Sequence, residues 1–130
     1  MGSQQSLALS SYEDVLAARL GSECFLISTL PESDQGCLIG GTVPAHGEET
    51  KLNSLMSSGK YDAKIIVYGR NCTDRSPYRK LEQLLGLGFE KLSVYPGGLL
   101  EWMLLRDAYG SRAFPTDGEG ELMSFAPSKT

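Results

Sequence analysis

Three short apolar runs, at residues 24–27, 65–68 and 91–95, alternate with stretches whose apolar residues recur at helical spacing. A strand buried on both faces reads as a continuous apolar run, because both sets of its side chains meet a covering layer. Strands of this kind separated by helices define an α/β domain: a central, mostly parallel sheet with helices on both faces. In such folds ligands collect at the carboxyl ends of the strands.

The helices are marked by their own punctuation. Ser10 or Ser11 starts the first, with Glu13 or Asp14 three residues on, Tyr12, Val15, Leu16 and Leu20 as its apolar face, and Gly21 as its stop. A loop over residues 31–36 leads to a brief apolar step, Cys37, Leu38 and Ile39, which Gly40 and Gly41 break. Residues 48–58 carry Leu52, Leu55 and Met56 at helical spacing before Gly59. Leu81, Leu84 and Leu85 give the next helix its core face, with Gly86 and Gly88 at its end. After a sharp Pro96-Gly97-Gly98 turn, residues 99–109 form a helix with Leu100, Met103 and Leu104 inward. The reading is therefore a flexible start over 1–10, a domain over 11–112 and a tail over 113–130 anchored through Phe114 and Phe125.

Length and charge narrow the function classes. A chain of 130 residues suits one domain. Its net charge of −4 argues against nucleic acid as a partner, which needs a wide basic face. No apolar run approaches the roughly 20 residues of a membrane-spanning helix. Three cysteines without paired spacing make neither a disulfide framework nor a zinc site, so the expected home is the reducing cytoplasm, with no metal and no cofactor. Asn71-Cys72-Thr73 matches a glycosylation sequon without a secretory signal to give it consequence. Met1-Gly2 with Ser6 fits N-myristoylation at Gly2, the alternative being an unstructured start; one acyl chain would give only weak membrane attachment.

Residues 64–80 concentrate the chemistry. An apolar strand runs into a polar loop and directly into a helix that Ser76 caps and Pro77 starts, a layout that aims N–H groups at one point as an anion cradle. Gly69, Arg70, Asn71, Cys72, Thr73, Asp74, Arg75 and Ser76 form that loop. Lys64, Arg70, Arg75, Arg79 and Lys80 are expected around it, against Asp74 alone. A local basic cluster on an acidic chain points to a small anion or a sulfur donor, and to a protein partner, rather than to polyanions at large. Arg75 can hold an oxyanion in bidentate fashion or bond loop carbonyls. Tyr68, Arg70, Asn71 and Tyr78 are read as rim residues, His46 as a loop surface residue, and Cys24 and Cys37 as core thiols, either of which could serve as a resolving thiol if it lay near the loop.

From about Tyr12 to Tyr109 the chain resembles the rhodanese-homology family. Residues 24–27 are similar to its first core strand, residues 36–44 (Gly36-Cys37-Leu38-Ile39-Gly40-Gly41-Thr42-Val43-Pro44) to its GHIPGAxxIP segment, residues 64–76 to its strand and active-site loop, and residues 92–102 to VxxLxGGxxxW, with Gly97, Gly98 and Trp102 on matching positions. The resemblance implies a rhodanese-like fold and a sulfurtransferase loop. Members that transfer sulfur carry a cysteine directly after the strand, where this chain has Gly69. Arg75 follows Gly69 by six positions rather than five, a length that resembles the dual-specificity phosphatase branch of the fold. Ser28 and Thr29 stand where the family has an acidic residue and an arginine. Three expectations follow: a silent binding module, a sulfurtransferase with its persulfide on Cys72, or an activity of phosphatase or arsenate-reductase type. The position of the loop sulfur separates them, because a thiolate needs N–H donors and cations at its centre.

Overall fold

A computed structural model describes residues 8–20 and 24–127. Gly2, Ser6 and the Gly21 helix stop lie outside them. Helix α1 spans Tyr12–Leu20, followed by strand β1, Cys24–Ser28. Strands β2, Cys37–Ile39, and β3, Thr42–Val43, precede helix α2, Ala45–Ser57. Strand β4, Lys64–Tyr68, leads to helix α3, Ser76–Gly86, and strand β5, Lys91–Tyr95, to helix α4, Gly98–Tyr109. A last strand, β6, spans Thr116–Gly118.

The main sheet has the order β3-β1-β4-β5, with parallel pairing throughout. Residues 8–10 continue it beyond β5, where Ser10 N–H donates to the Val94 carbonyl at 2.8 Å and Val94 N–H to that of Ala8 at 3.1 Å. Alternation along β4 divides the core in two. Ile66 and Tyr68 join Val15, Leu99, Trp102 and Phe114 on the α1 and α4 face. Ile65 and Val67 join Leu55, Leu81, Leu84 and Phe89 on the α2 and α3 face. This burial on both faces is what the continuous apolar runs required.

Sequence and structure differ at several elements. α1 begins as expected, with Ser11 N–H donating to the Asp14 carboxylate at 2.8 Å and Asp14 N–H to the Ser11 hydroxyl at 3.3 Å. Its buried residues are Val15 and Ala18, and Leu20 is exposed. In α4 the buried side chains are Leu99, Trp102 and Met103, while Leu104 faces out. α2 starts at Ala45, so the exposed His46 lies in its first turn rather than in a loop. The segment after residue 112 holds more than its two aromatic anchors. β6 pairs antiparallel with β2, and the Pro115 carbonyl accepts from both Trp102 Nε1 and Gly40 N–H at 2.9 Å. Among the described residues no helix is long and apolar enough to cross a membrane.

Candidate functional site

The sheet changes direction between β1 and β4, since the chain leaves β1 toward β3 and β4 toward β5. Ligand crevices form at such a switch point. At this place the carboxyl end of β4 opens into the loop Gly69 to Arg75, and α3 follows at Ser76. Its backbone is stitched to the start of α4. Leu99 N–H donates to the Gly69 carbonyl at 3.0 Å and Leu100 N–H to that of Arg70 at 2.9 Å, which also serves two of the helix's orphan donors. Gly98, at φ +66°, makes this approach possible, because a Cβ there would lie 2.7 Å from the Gly69 oxygen.

Inside the loop, two N–H groups, those of Arg70 and Ser76, meet on the loop's own acid, while the Thr73 N–H donates to Asn71 Oδ1 and the Asp74 N–H to the Asn71 carbonyl. Asp74 Oδ2 accepts from Arg70 N–H at 2.9 Å. Asp74 Oδ1 accepts from Ser76 N–H at 2.9 Å and from the Ser76 hydroxyl at 2.7 Å. Since the carboxylate takes the Ser76 proton, the 2.7 Å contact between the Ser76 and Thr29 hydroxyls has Thr29 as donor. Burial opposes the Asp74 charge, but the Arg70 N–H, the Ser76 donors and the Arg70 charge outweigh it and hold the carboxyl below its ordinary range. Ser76 is therefore not the cap but the first helical residue; Arg75 stands at the N-cap, and the Asp74 carboxylate, one residue further back, takes the Ser76 N–H in place of a cap side chain. Gly69 is the steric counterpart of this arrangement: a Cβ on it would lie 2.4 Å from Asp74 Oδ2 and 2.8 Å from Pro77 Cγ. The position after the strand and the carboxylate of Asp74 compete for the same space.

The cations do not gather as the sequence suggested. Lys64 stands at the opposite end of β4. Arg70 turns outward to Asp34 at 2.8 Å and to the Ser124 carbonyl at 3.2 Å. Lys80 pairs with Glu48. Arg79 is exposed, and the exposed Arg75 lies 5.9 Å from the Tyr78 ring centre. Cys72 and Thr73 are also exposed, whereas Gly69 is buried. Two expected rim residues are interior. Asn71 is 5 % exposed, donates through Nδ2 to the Phe125 carbonyl at 2.7 Å and accepts from Thr73 N–H at 2.9 Å and its hydroxyl at 2.6 Å. Tyr68 is fully buried; its hydroxyl oxygen accepts from Ile39 N–H at 3.1 Å and meets the Thr42 hydroxyl at 2.7 Å, and burial keeps it protonated far above the usual phenol range. Cys24 and Cys37 both have thiols pushed up by burial, and Cys37 Sγ lies 3.9 Å from Met103 Sδ, the environment of core thiols. The resemblance to the phosphatase branch rests on loop length alone.

The fold matches rhodanese-like domains. The rhodanese-like domain of the Alr3790 protein from Anabaena sp. is 25% identical, with 96% of this chain and 88% of that one covered at a TM-score of 0.58. The BH2092 protein from Bacillus halodurans is 16% identical over 88% and 82% of the two chains, with a TM-score of 0.65. Thiosulfate sulfurtransferase from Pseudomonas aeruginosa is 22% identical over 80% of this chain and 19% of its own, with a TM-score of 0.58. No family model matches the sequence, and no curated protein matches it. The chain has a rhodanese-like α/β fold with a four-stranded parallel sheet.

Proposed function

We propose that this chain is a catalytically silent rhodanese-like module that acts by binding, in a regulatory or scaffolding role, with its loop held closed by Asp74. The observation that carries the reading is the Asp74 carboxylate on the Arg70 and Ser76 donors, pressed against the space where a Gly69 side chain would stand. A nucleophile activated by those donors would have to displace a charged acceptor they already hold. A small external anion faces the same competition, so its affinity for the loop is weak. The exposed residues of the loop, Cys72, Thr73 and Arg75, form the face offered to a protein partner.

A thiosulfate:cyanide assay tests this, with no turnover expected from the protein or from Cys72→Ser. Turnover that Cys72→Ser abolishes, together with an added sulfur on Cys72 after thiosulfate treatment, would establish the persulfide reading instead. The exposure of Cys72 is the observation in favour of that second reading. An aryl phosphate assay tests the longer loop's phosphatase resemblance, and no release is expected because Gly69 supplies no attacking group.

A further inference from the structure

A second recess opens beside the loop at the same switch point, between the starts of α2 and α3. It is an open recess of about 320 Å³, near the lower bound of small-ligand clefts, and it shares Ser76 and Thr29 with the loop as part of its wall. Glu48 reaches in from the first turn of α2, and Lys80, Arg79 and Gln83 from α3. Glu48 and Lys80 form an ion pair with side chains only 17 % and 20 % exposed, so the pair is largely withdrawn from water yet open on the recess side. The floor is already satisfied. Gln35 bridges the Leu30 carbonyl at 2.9 Å and Ala45 N–H at 3.0 Å, and the Ser28 hydroxyl accepts from Leu30 N–H at 3.1 Å.

The charges determine what fits. A simple anion on Lys80 shares the ammonium with Glu48 and lies beside that carboxylate, so like-charge repulsion opposes it. A simple cation on Glu48 meets the same repulsion from Lys80 and Arg79. A molecule carrying a carboxylate and an ammonium a few bonds apart can insert into the pair and give each side chain an opposite charge. Arg79, at the rim, then adds a second donor for the carboxylate.

We propose that this recess binds a small zwitterion of the free amino-acid class, with its carboxylate on Lys80 and Arg79 and its ammonium on Glu48. The proposal does not depend on whether the loop is silent, since neither Cys72 nor Asp74 takes part. NMR titration of the full chain with L-alanine and L-glutamate, against acetate, methylamine and inorganic phosphate, tests it. The amino acids should shift Gln83 and the Lys80 and Glu48 signals, and the three singly functional ions should not. Because each of these side chains supplies a charge-assisted contact to the ligand, Glu48→Gln and Arg79→Ala should each weaken binding by about tenfold or more. Arg79 is exposed, so Arg79→Ala keeps the fold and carries the test should Glu48→Gln unfold the protein. Absence of amino-acid binding overturns the proposal, as does phosphate binding equally well, or affinity unchanged in Arg79→Ala.

Discussion

Replacing Asp74 with alanine should both loosen the loop and open its seat. The carboxylate accepts three hydrogen bonds, from Arg70 N–H, Ser76 N–H and the Ser76 hydroxyl. Bonds to a charged group contribute about 1.5–3 kcal/mol each, but these share one carboxylate that is only half-buried, and water recovers part of the loss. Loss of a helix cap alone costs about 0.5–2 kcal/mol. A net destabilisation of about 2–3 kcal/mol is the reasonable sum, which for a domain of this length lowers the melting temperature by about 6–15 °C. Sulfate then acts as a diagnostic. It stabilises both proteins through general exclusion from the surface. In Asp74→Ala it can also occupy the vacated donors, and at ten times its dissociation constant that adds about 1.4 kcal/mol. Calorimetric melting with and without sulfate, run on both proteins, reads the difference. Equal stability of the two, or an equal response to sulfate, would refute the reasoning.

Two further outcomes follow from the same contacts. Because the Asp74 carboxyl is held below its ordinary value, its contribution is fully present above about pH 4 and is lost as pH falls through the lower folded value. The stability gap between the protein and Asp74→Asn in urea melts should therefore narrow at acid pH, and a constant gap would contradict the assignment. Asn71→Ala removes the bond to the Phe125 carbonyl and leaves the Thr73 donors without their acceptor, at a cost of about 1–3 kcal/mol. Hydrogen exchange at residues 122–127 should accelerate in that variant; unchanged protection would mean that Asn71 does not tie the loop to the C-terminal turn.

The fold was legible because burial on both faces leaves an unbroken apolar run, and β1, β4 and β5 lie where those runs do. The β2 and β6 pairing was not, since a three-residue strand in a polar segment gains its stability from a distant partner and leaves no local periodicity. Leu20 and Leu104 satisfied helical spacing yet face outward, with Ala18 and Leu99 taking the inward positions; spacing allows a face but does not decide which edge of it meets the sheet. The loop reads as a seat for a foreign anion when Asp74 is weighed only as a lone negative charge against five cations and not as an acceptor for the loop's own N–H groups. The signal for its role is present in Asp74-Arg75-Ser76-Pro77: an aspartate readily accepts the N–H two residues on in an Asx turn, here that of the first helical residue. Neither the outward turn of Arg70 nor the Lys80 pairing with Glu48 could be read locally, since both partners are more than 30 residues distant in sequence.

The competition between a side chain at position 69 and the carboxylate of Asp74 is best measured by a double-mutant cycle of Gly69→Ala and Asp74→Gly. With a Cβ 2.4 Å from Asp74 Oδ2, the alanine should be markedly more damaging when Asp74 is present than when it is absent, a coupling of about 1–3 kcal/mol. Additive effects would mean that the aspartate does not fill that space.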